Sequence, residues 1–213
     1  QFEFRMYGMR QQDCRQFANV LRRKSTLTAL SLPENQIDSD KLKALITGLV
    51  KNYSITVLDL SHNKIEDAGA QALATLLTRK NQTIQSLNLR DNNIRAAGAR
   101  ALGKSLTINN SVSDLNLRLN RFGDDGGCAL FDGVRENTVL RTLNVSNNDL
   151  GIGSARALAE ALRSTSTLTQ LDVSGNSFGE TGGSILLEAM ENNRSVLSMD
   201  TRMSGIRDDD RFV

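Results

Sequence analysis

A spacing constrains this chain more than any other feature. The pattern L-x-x-L-x-L-x-x-N-x-L, with aliphatic or Phe substitutions, returns every 28 residues, with one step of 29. It runs Leu27, Leu30, Leu32, Asn35, Ile37, then Ile55, Leu58, Leu60, Asn63, Ile65, then Ile84, Leu87, Leu89, Asn92, Ile94. Val112, Leu115, Leu117, Asn120, Phe122 follow, then Leu140, Leu143, Val145, Asn148, Leu150, and finally Leu168, Leu171, Val173, Asn176, Phe178. Six copies with the Asn in register mean one supersecondary unit stacked on itself, because a unit this short cannot bury its apolar face alone.

Within each unit the apolar period switches from 2 to 3.6. The L-x-L core reads as a short strand with alternate residues inward. The second half reads as a helix: Leu42, Leu45, Leu49; Gly69, Ala70, Leu73, Leu77; Gly98, Ala99, Leu102, Leu106; Ala155, Leu158, Leu162. Asp67, Asp124 and Thr181 fall near helix starts, where an oxygen can meet free N–H groups. The expected fold class is α/β, a leucine-rich-repeat solenoid or horseshoe with a parallel sheet on the concave face and helices on the convex face. Helices need about 8–10 Å of spacing and strands about 4.8 Å, so the stack bends toward its sheet.

Sliding the frame outward divides the whole chain, 1–213, into a degenerate N-terminal repeat (1–26), six regular repeats (27–195) and a degenerate C-terminal cap (196–213). Phe2, Phe4 and Met9 fit the first copy, with Tyr7 at the Asn position. Val196, Met199 and Ile206 fit the last, with Thr201 and Ser204 in place of a Leu and the Asn. Degraded ends suit a solenoid, whose end units have a neighbour on one side only. The absence of an initiator Met and the start inside a repeat imply a piece of a longer protein.

A net charge of +2 gives no reason to expect a nucleic-acid partner. The charge is uneven, with 16 Lys and Arg against 9 Asp and Glu in residues 1–106, and 10 against 15 in the remainder. No apolar run approaches the roughly 18 residues of a membrane span, and no signal peptide is visible, so a reducing cytoplasmic setting without a membrane partner is expected. Cys14 falls at a core position of the repeat and Cys128 at one that tolerates exposure. Four repeats apart, on the order of 35 Å, they are expected as free thiols.

No constellation of catalytic residues stands out, and neither a cofactor nor a metal is expected. The Asn series reads as structural, each side chain bonding to the backbone where a strand leaves the sheet and to the next repeat. His62 is the single histidine, reads as a surface residue, and has no nucleophile arranged with it. Asp124-Asp125-Gly126-Gly127 lacks the alternating oxygen ligands of a calcium loop and reads as a helix start.

The candidate functional residues are those that point out of the sheet. One file reads Glu3, Ser31, Asp59, Asn88, Asn116, Asn144, Asp172, Asp200, and the next Arg5, Pro33, Ser61, Arg90, Arg118, Ser146, Ser174, Arg202. The grid holds no Lys, and Arg is the more effective interface cation. The predicted protein-binding site is Asp59, Asn88, Arg90, Asp114, Asn116, Arg118, Leu119, Asn144 and Asp172, with Arg90 and Arg118 adjacent and Asp114 close to both. Leu119 and Met203 are the apolar candidates at the lip, and the centre lacks aromatic anchors, so a polar, shape-matched contact is expected. Arg22, Arg23, Lys24, Lys41, Lys43 and Lys51 offer a rival basic surface on the convex side.

The unit resembles the ribonuclease-inhibitor-like class of leucine-rich repeats. Within that class several segments resemble the T-complex-associated testis-expressed family, subunit 5 of the axonemal nexin–dynein regulatory complex. They are Phe4-Arg5-Met6-Tyr7-Gly8-Met9, Leu32-Pro33-Glu34-Asn35, Leu58-Asp59-Leu60-Ser61-His62-Asn63-Lys64, Leu115-Asn116-Leu117-Arg118-Leu119-Asn120 and Asp200-Thr201-Arg202-Met203-Ser204. The resemblance implies a non-catalytic scaffold in motile cilia and flagella. The implied partners are other nexin–dynein regulatory complex subunits and, through them, inner-arm dyneins and doublet microtubules, in a hetero-oligomer. Two other readings share the repeat. One is a GTPase-activating protein of the Ran type, kept open by Arg90 and Arg118 and opposed by the shortness of Asp208-Asp209-Asp210 as an acidic tail. The other is a fragment of a cytosolic sensor or actin regulator.

Overall fold

The computed structural model describes residues 1–5, 8–79 and 81–206. Tyr7 and the Asp208–Asp210 stub lie outside the described residues. Strand and helix alternate throughout: β1 (Phe2–Glu3), α1 (Gln11–Leu21), β2 (Ala29–Ser31), α2 (Ser39–Leu49), β3 (Val57–Asp59), α3 (Glu66–Arg79), β4 (Ser86–Asn88) and α4 (Ala96–Leu106). Then come β5 (Asp114–Asn116), α5 (Gly123–Glu136), β6 (Thr142–Asn144), α6 (Ile152–Ser164), β7 (Gln170–Asp172), α7 (Gly179–Asn192) and β8 (Ser198–Asp200).

The strands form one open parallel sheet in sequence order, β1 to β8. Its register is the repeat itself, with Leu30, Leu58, Leu87, Leu115, Leu143 and Leu171 paired in a line. Each of these leucines is at most 3% exposed, so one apolar column runs through the stack. A buried Leu contributes roughly 1.5–3 kcal/mol, and every repeat adds one such residue between two neighbours. The ladder outlasts the three-residue strands: the Leu60 and His62 amides reach the Asn88 and Arg90 carbonyls at 2.9 and 2.8 Å.

Asparagines close the gaps where strands end. Asn120 accepts from the Asn92 and Ile94 amides at 3.1 and 3.0 Å and donates to the Leu89 and Leu117 carbonyls at 3.0 and 2.9 Å. Asn63 and Asn176 do the same one pair of repeats away. The neighbour reached is the preceding repeat, whereas the sequence reading pointed each Asn at the next one. The side chain turns back because the unpaired amides lie in the loop already laid down beside it.

A second asparagine series escaped the sequence reading. Asn52, Asn81, Asn109 and Asn137 are buried where each helix runs into the following strand. Each Oδ1 accepts from the amide three residues on, as Asn137 does from Leu140 at 2.7 Å. Each Nδ2 donates to the last carbonyls of the preceding helix, as Asn137 does to Leu106 at 2.7 Å. These are the carbonyls that a helix end leaves without an internal partner. The 28-residue spacing of this Asn from 81 to 137 was the available signal.

From β2 onward the repeats alternate between two forms. After each of β2 to β8 one left-handed residue recurs, at Glu34, His62, Asp91, Leu119, Asn147, Gly175 and Met203. A second falls two residues later in one form (Gln36, Asn93, Asp149, Gly205) and four residues later in the other (Glu66, Gly123, Gly179). Glycine at 123 and 179 takes that conformation without the Cβ strain that Glu66 bears.

The aspartates near helix starts link the two forms. The Asp67 carboxylate accepts from the Arg95 and Gly98 amides at 2.8 Å each, and Asp124 accepts from Gly151, Gly153 and Ser154 at 3.0, 2.9 and 2.6 Å. Each therefore caps the helix of the following repeat and not its own, which corrects the local capping expected from sequence. The Thr181 side chain makes no hydrogen bond among the described residues. Asp38 caps its own helix, accepting from Asp40 and Lys41; the position in the first repeat that corresponds to Asp67 is Gln11, which carries no carboxylate.

Candidate protein-binding surface

The concave face is set by the sheet register. Ser31, Asp59, Asn88, Asn116, Asn144, Asp172 and Asp200 pair in one line across β2 to β8, as the sequence frame predicted. Their oxygens are partly engaged. Asp59, Asn88, Asn116, Asn144 and Asp172 each accept from the amide two residues on, at 2.8, 3.1, 3.1, 3.0 and 3.0 Å. That amide has lost its ladder partner; the Asn63 amide group, for example, takes the Leu32 carbonyl next to Ser61. The choice of Asp or Asn in this file thus has a structural origin that the sequence reading did not assign.

The same geometry fixes what is left for a partner. Because the Asn oxygen must face the backbone amide, the NH2 of Asn88 and Asn116 is turned away from it. Asp59 instead keeps a free carboxylate oxygen. Asn144 donates to Asp172 at 2.7 Å, so this pair satisfies itself. The line therefore offers an acceptor at β3, donors at β4 and β5, and a closed pair at β6 and β7.

The second file is less uniform than its sequence suggested. Ser61 and Ser146 are buried, at 5% and 0% exposure, and belong to the wall instead of the lining. At the ends, Arg5 reaches Glu34 at 2.6 Å and Arg202 reaches Asp200 at 2.5 Å. The Arg202 hydrogen bonds hold the Asp200 carboxyl below its ordinary range against the opposing effect of burial. Arg90 and Arg118 are half-buried on adjacent repeats, joined by the Asp91 amide on the Arg118 carbonyl at 2.9 Å. Neither guanidinium has an ion-pair or hydrogen-bond partner among the described residues, and each Nε is closed off from solvent.

Asp114 makes no ion pair with either among the described residues. It stands at the start of β5, four residues before Arg118, and its carboxylate accepts from Ser113 Oγ at 2.6 Å. An extended chain carries it roughly 13 Å along the strand, a separation that lateral neighbourhood in the repeat frame does not register. Leu119 and Met203 are exposed at the lip, at 37% and 90%. His62 pairs with Asp91 at 2.9 Å, also at the lip.

The basic convex residues fall into two groups. Lys41 and Lys43 face Asp38 and Asp40 at 3.9 and 3.1 Å. Arg22, Arg23, Lys24 and Lys51 line a shallow cavity with the exposed Tyr53, at the C-terminal ends of α1 and α2, where cations meet the negative end of each helix dipole. Cys14 is buried, and that burial pushes its thiol up to about 11. Cys128 is half-exposed, with its thiol raised by burial and by the nearby Asp124. Among the described residues no cluster of three or more His, Cys, Asp and Glu is placed to hold a metal ion, and no helix is long and apolar enough to cross a membrane.

A family model described as Leucine Rich repeat matches residues 51–74, 80–103, 109–131, 136–159 and 165–186, more than half of the chain. The chain belongs to the leucine-rich-repeat family. Leucine-rich-repeat domains of this kind are non-catalytic, protein-binding scaffolds, and this chain is one of them. It is also similar to Dynein regulatory complex subunit 5 of Mus musculus (36% identical over 73 residues), Macaca fascicularis (35% over 76) and Homo sapiens (34% over 75). These matches cover 34–36% of this chain and 15% of each relative, so the chain matches only a small part of the curated proteins' length. Among solved structures, Leiomodin-1 Actin-Binding Site 2 superposes with a TM-score of 0.55 at 24% identity, over 60% of this chain and 76% of that one. The tropomodulin C-terminal domain of Caenorhabditis elegans superposes with a TM-score of 0.54 at 16% identity, over 85% and 93%. Both are likenesses of fold.

Proposed function

We propose that this leucine-rich-repeat chain is a non-catalytic scaffold subunit of the nexin–dynein regulatory complex in the axonemes of motile cilia and flagella. The observation that carries the reading is the 34–36% identity to subunit 5 of that complex from three mammals. In this reading the concave face holds other subunits of the complex, and through them the domain is tied to inner-arm dyneins and doublet microtubules. The contact residues are Asp59, Asn88, Arg90, Asp114, Asn116, Arg118, Leu119, Asn144 and Asp172. A sheet face of hydrogen-bonding side chains recurring once per repeat suits a rigid, preorganised contact, because little side-chain freedom is lost on binding.

The test is a pull-down of the tagged full-length protein from ciliated cells, alongside imaging of axonemes. Recovery of regulatory-complex subunits by the parent, and their loss with an Asp59→Ala, Arg90→Ala, Arg118→Ala, Asp172→Ala variant of unchanged fold, is the expected outcome. Recovery of no axonemal protein would refute the assignment. Full recovery by the variant would move the contact off the concave face.

A further inference from the structure

The centre of the concave grid differs from its ends in a way that identifies the chemistry of an occupant. At the ends, Arg5 and Arg202 are neutralised by Glu34 and Asp200. In the centre, Arg90 and Arg118 stand just past neighbouring strands, paired with no carboxylate among the described residues, and the Nε of each is shielded from water without an acceptor. With Nε shielded, the outer Nη groups, which no described residue bonds, are what each guanidinium can offer a partner. The two amides beside them point the same way: the Asn88 and Asn116 oxygens are consumed by the Arg90 and Arg118 amides, which leaves NH2 donors. Two guanidinium forks and two amide groups thus make a patch of donors only.

We infer that this patch, across β4 and β5, seats carboxylate side chains of an acidic polypeptide segment. The inference rests on the concave-face reading above and names the chemistry of its partner. Carboxylates fit because each guanidinium presents two parallel N–H groups at the spacing of two carboxylate oxygens. A single negative charge per arginine is also what the surroundings admit. Asp59 lies in the flanking repeat on β3, Asp114 at the start of β5 and Asp91 at the lip, and a phosphate carrying nearly two charges would meet their repulsion. The convex basic cavity lacks this geometry: its four cations lie at helix ends, where the helix dipoles already favour positive charge.

The experiment uses the 213-residue chain and a fluorescein-labelled oligoglutamate of about ten residues, long enough at about 3.3 Å per residue to cross both strands. An oligoglutamine and a phosphoserine peptide of equal length serve as comparisons, and binding is read by fluorescence anisotropy. The oligoglutamate binds the parent and the oligoglutamine does not. An Arg90→Met, Arg118→Met variant weakens binding at least about tenfold, the effect of losing one charge-assisted pair. An Arg22→Gln, Arg23→Gln variant, which removes the same net charge from the convex side, changes it less than about twofold.

No binding to the parent, equal binding to the Met variant, or an equal loss in the convex variant would overturn the inference. So would capture of the phosphoserine peptide in preference to oligoglutamate. Thermal unfolding gives an independent check: replacing a shielded, unpaired charge by Met leaves the melting temperature unchanged or higher. A clear fall would mean that the guanidiniums have internal partners and would refute the premise. A failed pull-down with intact peptide binding removes the axonemal assignment alone; lost peptide binding with an intact pull-down removes this inference alone.

Discussion

Replacing Asn120 and Asn148 by Leu, one at a time, should separate two residues that the repeat makes look identical. Leu keeps the branched shape of Asn, so any crowding is common to both and cancels in the comparison. In Asn120→Leu the amides of Asn92 and Ile94 and the carbonyl of Leu89 lose the partner the side chain gave them. The Leu117 carbonyl is kept by Asn148. Three buried backbone groups without partners cost about 1–1.5 kcal/mol each, or about 3–5 kcal/mol together. In Asn148→Leu the outcome differs, because its Oδ1 is buried with no partner to lose. Its three carbonyls have other donors: Leu117 is bonded by Asn120, Val145 by Asn176, and Ser146 by the Leu119 amide. Asn148→Leu should therefore lie about 3 kcal/mol or more above Asn120→Leu in stability. Urea unfolding followed by circular dichroism measures the difference as a shift of midpoint at constant slope. Midpoints equivalent to within about 1 kcal/mol would show that the asparagines act by shape and not by the bonds described.

Three further outcomes follow from the structure. The Asp124 carboxyl sits below its ordinary 3.8 because hydrogen bonds from Ser154, Gly153 and Gly151 outweigh the upward effect of burial, so its stabilisation is present above that value and lost as pH falls through the lower folded one. Asp124→Asn should thus cost about 1 kcal/mol at neutral pH, and the gap to the parent should close in acid; a gap constant down to pH ~2 would contradict the charge-based cap. A Cβ at Gly133 would land on the Gly103 carbonyl of α4, so Gly133→Ala should destabilise by about 3 kcal/mol or more, and an unchanged melting temperature would show that the two helices can separate freely. A disulfide reagent applied to the folded chain should label Cys128 and leave Cys14 untouched until urea is added; early modification of Cys14 would contradict its burial.

The sheet and its concave file were legible because their cause is periodic: a residue that recurs at one interval must recur in one place, and the register of Leu30 to Leu171 follows. What the sequence hid depends on direction and on depth. Asn120 and Asp124 occupy obvious positions, yet whether such a side chain turns to the preceding or the following repeat is decided by which backbone groups the neighbouring loop leaves open. Asp114 was drawn toward Arg118 by counting along repeats, a measure that ignores extent along the strand. Ser61 and Ser146 share a file with Arg90 but are small enough to sink into the wall, while an arginine keeps its head outside. The alternation of repeat forms is only partly written in the letters: Phe122-Gly123 and Phe178-Gly179 stand against Ile94-Arg95, yet Ile65-Glu66 belongs with the first form and Leu150-Gly151 with the second. A search for a single consensus averages that signal away.

The alternation has a consequence for how such a chain can change its length. Asp67 and Asp124 are each donated by one form of repeat to the helix of the other, and the Arg95 and Gly151 positions that receive them carry no side-chain cap of their own. Excising a single 28-residue unit would set two like forms side by side and leave one helix start bare, whereas excising two in succession would restore the same junction. In the middle repeats the unit that can be removed without baring a helix start is therefore twice the unit of spacing.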